Sequence, residues 1–344
     1  MIEEKLEIII VTYNRSKDLE NTFQQLLKSP FAICKVTILD NNSLDETPKI
    51  CSKYQKLFPN ITIIRHPKNI GANPNILRAI ELSNSLYTWV LCDDDIYDFS
   101  DCSDVIGAIE SEEYDIISVG MPEIDSDWKR GISTTPNELL KNDSRFFFIM
   151  AFIPATIFKT ELFDSYCLHK GYFHAHNKLP TFEFIKKSIE DNFSIYLSKK
   201  LIINRGIHNF TPYSILSFLL AQMDCSLGIK NKKIRRRFIS DNAYSSLIKR
   251  IILGIILEKT RTNSEERQKN IGLLIPTFMM VFGFSRQQFI LLIMIPMILI
   301  PRFVYMLIIN LVLFLKYDLR GRKTPDNIRE KIVEWDKTTD YLSN

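Results

Sequence analysis

The stretch WVLCDDD, residues 89–95, sets three aspartates, Asp93, Asp94 and Asp95, at the end of an apolar run. An apolar run of this kind reads as a buried strand, and alternation along it points Asp93 and Asp95 to one side and Asp94 to the other. Two converging carboxylates are hard oxygen ligands. They suit Mg²⁺ or Mn²⁺, a cation that keeps several waters and bridges to phosphate oxygens. A solvated acidic turn is the ordinary explanation of an isolated DDD, but two other runs end in the same manner. LEIIIVTYN (6–14) and KVTILDNNS (35–43) place Thr12, Asn14, Asp40 and Asn42 at the carboxyl ends of their own strands. In an open α/β sheet that edge is where ligands bind.

The elements that must hold these groups alternate. LEIIIVTYN is β-branched and short, the pattern of a buried parallel strand. SKDLENTFQQLLKS follows with Ser16 as N-cap and Leu19, Phe23, Leu26 and Leu27 at helical spacing. A second strand over 35–43 precedes the helix DETPKICSKYQKLF, and ITIIRHP (61–67) makes a third. NIGANPNILRAIELSNS is a loop entering a helix, with Gly71 shaping the loop and Asn75 capping the helix; YTWVLCDDD (87–95) is the fourth strand. Strand and helix in alternation give an α/β, doubly wound, mainly parallel sheet with right-handed crossovers.

Composition bounds what such a sheet serves. With 344 residues, 46% hydrophobic and 24% charged, the chain can bury the core of one large or two ordinary domains. Its excess of four basic residues is too small to argue for nucleic acid as a partner. Six scattered cysteines without a CxxC pair fit packing roles in a reducing cytosol. The opening MIEEKLEIIIVTYN is acidic and its apolar run is too short for a signal peptide, so export is not expected.

Four segments, VTYNR (11–15), ILDNNSLDET (38–47), NIGANPN (69–75) and VLCDDD (90–95), resemble in order and spacing the motifs of the family-2 glycosyltransferases. Among them the chain is most similar to bacterial O-antigen or capsule sugar transferases, abequosyltransferase-like enzymes included. The resemblance covers the first 100 residues well and thins toward residue 210, with Val11 standing where the family usually has proline. It implies a GT-A domain over 1–210, an inverting mechanism and a nucleoside-diphosphate-sugar donor. It further implies that Asp95 holds the cation with help from Asp93, and that Asp93 lies near the ribose. Asp40 would accept from the base imide, while Thr12, Asn14 and Arg15 line the nucleotide pocket, with Asn42, Gly71 and Asp94 in the same donor site. His208, in NRGIHNF, lies where many GT-A enzymes carry a metal-binding histidine; a surface loop histidine is the equal alternative.

An inverting transfer needs a general base for the acceptor hydroxyl. The family's Glu-Asp pair at a helix start is missing from GYFHAHNKLPTFEFIKKSIEDNFSIYLSKKLIINRG (171–206). Glu183 is nearest to that slot, with His174 and His176 as competitors, and the pair Glu190–Asp191 falls at the helix end, where a solvated turn is its reading.

From 211 to 344 the chain reads as helical and apolar, with runs at 271–284 and 288–317. Pro296, Pro301 and Arg302 interrupt the second run. One kinked span, a helix pair in the interface and a buried bundle all fit it. Arg286, Lys316, Arg320, Arg322 and Lys323 flank it and suit anionic cytoplasmic lipid, which favours interfacial attachment. The expectation is a metal-dependent inverting glycosyltransferase on the cytoplasmic face of the bacterial inner membrane, acting on a polyprenyl-diphosphate-linked glycan. Two alternatives stand beside it. A nucleotidyltransferase would want a Gly-rich loop after the first strand, and VTYNRSKDLE has no glycine. A non-catalytic nucleotide-sugar-binding scaffold of a membrane assembly complex is kept open by the missing Glu-Asp pair.

Overall fold

The computed structural model describes residues 1–58, 60–121, 129–142, 150–175, 180–204, 228–232 and 234–235, with 300, 301, 303, 304 and 307. The chain divides into two compact units, Met1–His208 with Cys225–Asp241, and Asn209–Asp224 with Asn242–Asn344. Nearly all described residues belong to the first. Among the described residues no helix is long and apolar enough to cross a membrane. The apolar run 288–317 and the helical C-terminal region expected from 211 lie almost wholly outside them.

The first unit is a mixed α/β fold on an eight-stranded sheet. After a single turn of helix, α1 (Ile2–Lys5), the chain runs through β1 (Leu6–Thr12), α2 (Ser16–Leu27), β2 (Lys35–Asp40), α3 (Thr47–Gln55), β3 (Ile61–Arg65), α4 (Ala72–Leu82) and β4 (Tyr87–Cys92). These four strands are parallel and lie in the order β3-β2-β1-β4. The chain winds outward from β1 to β3, then returns to the other side of β1. The reversal between β1 and β4 is a topological switch point, where a doubly wound sheet opens a crevice at its carboxyl edge. Register brings the strand ends level: Thr12 pairs with Asp40, and Val11 with Cys92.

A short strand β5 (Ile96–Tyr97) and helix α5 (Ser103–Ser111) lead into a second, largely antiparallel half. It holds β6 (Ile116–Ser118), β7 (Ile132–Thr134), α6 (Pro136–Asn142), β8 (Thr156–Lys159), α7 (Ser165–Phe173), α8 (Phe182–Glu190), β9 (Ile195–Leu197) and β10 (Ile203–Asn204). Strand β8 runs antiparallel to β4 and extends the sheet through β6, β9 and β7. Among the described residues, strand β10 pairs with β5 in a separate two-stranded sheet.

Apolar burial carries the frame. Leu6, Ile8, Ile9 and Ile10 of β1 have no exposed surface, as expected of a strand covered on both faces. Helices α2 and α3 meet through Phe23 stacked on Tyr54 at 4.4 Å. Trp89 of β4 packs edge-on against Phe31 and Phe99, and its indole N–H donates to the carbonyl of Pro154 at 2.7 Å.

Each parallel strand stops two or three residues before the polar end of its run. The tails leave the sheet because Asn14 and Asn42 adopt left-handed backbone, φ 52° and 66°. Asparagine tolerates that conformation and no strand can continue through it. Asn75 lies inside α4, whose N-cap position is Gly71 at φ 89°.

Candidate functional site

The loops at the carboxyl edge are braced by one another. Asp40 Oδ1 accepts from the Ser43 amide at 2.9 Å, and Ser43 Oγ accepts from the Asn14 amide at 2.9 Å. Asn14 Oδ1 in turn accepts from the Leu44 amide at 2.7 Å. Helix α2 is capped from the same loop: Ser16 is its first helical residue, and its amide donates to Asp45 Oδ2 at 3.0 Å. Partial burial pushes the Asp45 carboxyl up, but bonds from Thr47 and Ser16 hold it below the usual range. Asn41, buried, joins three loops. Its amide donates to Thr12 O at 3.0 Å, its Nδ2 to Asn69 Oδ1 at 2.7 Å, and its Oδ1 accepts from the Ile70 amide at 2.9 Å. Arg65 closes the far side, donating to Ser43 O at 2.7 Å and lying 3.4 Å from Asp40 Oδ2. Only Asp40, Asn42 and Asn14 of this group were assigned from the sequence. Asn41, Ser43, Asp45 and Arg65 stand in the same segments and were passed over.

Between β1 and β4 the groups are charged. Arg15 Nη1 lies 2.9 Å from Asp93 Oδ1 and 2.8 Å from Asp94 Oδ2. Burial alone would lower the guanidinium's pKa; the two carboxylates outweigh it and raise it. Asp93 is 2% exposed, and burial pushes its carboxyl up to about 7 even though Arg15 and the Thr12 hydroxyl pull the other way. Thr12 faces Asp93 without meeting hydrogen-bond geometry. Among the described residues, Thr12 Oγ1, Asp40 Oδ2 and Asp93 Oδ2 are buried with no hydrogen-bond partner. All three atoms lie at the ends of adjacent strands, where a bound group could satisfy them.

Strand alternation does not reach the aspartates. Strand β4 ends at Cys92 and residues 93–95 form a turn. The Tyr97 hydroxyl clamps its base, donating to Cys92 O at 2.7 Å and accepting from the Cys92 amide at 3.1 Å. Thr22 Oγ1 holds its tip through Asp93 O at 3.1 Å. The turn sends Asp93 toward Arg15 and Thr12. It gathers Asp94 and Asp95 with Cys92, whose carboxylate oxygens and Sγ lie within 4.8 Å of one another. Carboxylates of this kind can hold a divalent cation.

The second set of sequence candidates lies on α7 and α8. His174 closes α7 and meets Phe173 and Phe182 edge-on. Glu183, buried in the first turn of α8, pairs with Lys186 Nζ at 2.8 Å. Asn73, in the first turn of α4, donates to the carbonyl of Ala175, which ties the end of α7 to the loop that carries Gly71. His176 and His208 lie outside the described residues.

The buried Asp93 makes stability depend on pH. Its folded pKa, about 7, lies above the unfolded value of about 3.9, so the native state holds the proton longer. The contribution of Asp93 is therefore fully present below about pH 4 and is lost as pH rises through 7. Asp93→Asn lacks this loss. Urea midpoints in EDTA at pH 5 and pH 8 should favour the variant, relative to wild type, more at pH 8. An equal offset at both pH values would show that Asp93 ionises as freely as an exposed carboxyl.

Comparison with known proteins follows the same outline. Residues 7–192, more than half of the chain, match the family described as Glycosyl transferase family 2. A 94-residue stretch is 28% identical to the uncharacterized glycosyltransferase YibD of Escherichia coli, covering 27% of each chain. A 118-residue stretch is 30% identical to the uncharacterized glycosyltransferase MG060 of Mycoplasma genitalium, covering 33% of this chain and 40% of that one. The matched stretches thus span well under half the length of these relatives. Among solved structures, S. aureus TarS 1-349 in complex with UDP superposes with TM-score 0.59 at 19% identity, over 80% of this chain and 81% of that one. The mannosyltransferase PcManGT from Pyrobaculum calidifontis, in complex with GDP-Man and Mn2+, gives TM-score 0.50 at 11% identity over 85% and 79%. The architecture is the GT-A fold, and the chain belongs to glycosyl transferase family 2.

Proposed function

We propose that this chain is an inverting, metal-dependent glycosyltransferase. It moves a sugar from a nucleoside-diphosphate sugar to a polyprenyl-diphosphate-linked oligosaccharide in O-antigen or capsule assembly. The observation that carries the reading is the set of three buried atoms without a hydrogen-bond partner at the carboxyl ends of β2, β1 and β4. Asp40 Oδ2 is an acceptor suited to a base imide N–H. Thr12 and Asp93, side by side at the end of β1 and after β4, suit ribose hydroxyls. The donor class is supported by the solved neighbours, one carrying UDP and another GDP-Man with Mn2+.

Asp94 and Asp95 would hold the cation beside Cys92, and their donor set fits one. A bound divalent cation supplies positive charge against the leaving diphosphate. Arg15 neutralises Asp93 and Asp94 and keeps the crevice from repelling that diphosphate. Glu183 takes the proton of the acceptor hydroxyl as it attacks the anomeric carbon from the opposite face, which inverts the configuration there. Glu183 stands in the first turn of α8, with Lys186 Nζ 2.8 Å from its carboxylate. Attachment to the cytoplasmic face of the inner membrane, through the apolar and basic stretches beyond residue 271, brings the crevice to a lipid-linked acceptor.

A thermal-shift screen of nucleoside diphosphates and nucleotide sugars tests the donor. With Mn²⁺ present, one base series should raise Tm by several degrees, because a ligand at 100 times its Kd stabilises the native state by about 2.7 kcal/mol. No shift with any nucleotide, with or without metal, would overturn the donor assignment. Full-length protein that stays in the supernatant of a detergent-free, high-salt spin would overturn the attachment.

A further inference from the structure

Glu183 and its partner Lys186 lie on α8, but the group that fixes Lys186 comes from much later in the chain. Residues Cys225–Asp241 belong to the first unit although they fall between the two segments of the second. They also lie beyond residues 7–192, the stretch that the family matches. Here Ile229 is buried, 1% exposed, and its neighbours on both sides meet α8. The Lys230 amide donates to Glu190 Oε1 at 3.4 Å, and its ammonium lies 3.8 Å from Glu190 Oε2. Lys186 has a carboxylate on each side along the helix, Glu183 at i−3 and Glu190 at i+4. Lys230 engages Glu190, which leaves Lys186 to Glu183 at 2.8 Å. The stem of Lys186 meanwhile lies directly on Gly228. A Cβ placed there would stand 2.5 Å from Lys186 Cδ, 3.3 Å from Cε and 3.2 Å from Nζ. Carbon atoms in contact need about 3.5–4.0 Å, so a side chain at 228 drives the stem away by about 1 Å. The displaced atoms are the far end of a flexible side chain, so the loss falls on where the ammonium sits and not on the fold.

We propose that Gly228 is a positioning residue for sugar transfer: by leaving room for Lys186, it fixes the ammonium that orients the Glu183 carboxylate. The proposal rests on the reading of Glu183 as the base for the acceptor hydroxyl. Both side chains are largely enclosed, Glu183 at 6% and Lys186 at 17% exposure, so neither has free choice of direction. A carboxylate bonded to a fixed donor points one way, and a misplacement of about 1 Å at a reacting group can cost on the order of 10²-fold in rate.

A double-mutant cycle on the full chain tests this, with kcat per folded molecule, donor KM and Tm measured for each variant. Gly228→Ala should lower kcat at least about tenfold, leave donor KM within about twofold and move Tm little. In a Lys186→Met background no ammonium remains to be displaced, and the same substitution should change kcat by less than about twofold. Equal losses in the two backgrounds would mean that Gly228 acts by another route, and a wild-type kcat in Gly228→Ala would mean that it does not act at all; either overturns the proposal. Lys186→Met alone should lower kcat about as much as Gly228→Ala does, again at unchanged donor KM. That variant carries the test should Gly228→Ala not fold, and a wild-type kcat in it overturns the proposal. Glu183→Gln measured alongside separates the two readings. Slow transfer there with normal transfer in Gly228→Ala removes the positioning role and leaves the base, whereas normal transfer in Glu183→Gln removes both.

Discussion

Asp95→Ala should lower sugar transfer by about 10³-fold or more while the fold survives. Removing a ligand of a cation that offsets the leaving diphosphate's charge forfeits several kcal/mol of transition-state stabilisation, and each 1.36 kcal/mol is about tenfold in rate. The side chain stands in a turn beyond the end of β4, so its loss removes no bond of the sheet ladder. The decisive pair of measurements is the transfer rate at saturating Mn²⁺ and the melting temperature, the first collapsing and the second moving little. Transfer that continues in this variant, or in wild type with excess EDTA, would mean that the site works without a metal.

Glu183→Gln should lower the rate by about 10²-fold or more and leave donor affinity unchanged, the range expected for loss of a positioned general base. Glutamine keeps the shape and hydrogen-bonding capacity of the side chain and removes its basicity. Because Glu183 is buried and paired with Lys186 at 2.8 Å, the substitution also strands a cation and costs some thermal stability. Single-turnover rate per folded molecule separates the two effects. A near-normal rate with a lowered melting temperature would assign the pair to structure alone. It would pass the base role to His174 or His176, whose alanine variants the same assay would rank.

The parallel half of the fold was legible because its signals are local. Four short apolar runs, the first three each followed by a helix, leave little freedom in how they pair. The ends of those strands were misjudged for a physical reason. Polar residues after an apolar run are compatible with further extension until a left-handed residue stops it, and nothing in the letters Asn14 and Asn42 requires that they be left-handed. The same applies to 93–95. Alternation would separate Asp94 from Asp95, whereas the Tyr97 hydroxyl, bonded to both backbone groups of Cys92, folds the chain so that the two come together. The antiparallel half was opaque: β6, β8 and β9 are three or four residues each, and their pairings join distant segments with no periodic trace.

The sheet order also has a consequence for the growing chain. All four parallel strands are complete once Cys92 has been synthesised, and the loops braced around Asn14, Asn41 and Ser43 precede it. Strand β4 nevertheless lies in the middle of the finished sheet, and its outer partner β8 begins only at Thr156. Until that segment leaves the ribosome, the amide and carbonyl groups on the outer side of Tyr87, Thr88 and Trp89 form an unpaired edge of high β-propensity. Such an edge recruits any extended neighbour, a second nascent chain included. Slow translation between residues 92 and 159 therefore lengthens the period of greatest exposure to misassembly, and a holdase chaperone acting there protects yield more than one acting after the chain is complete.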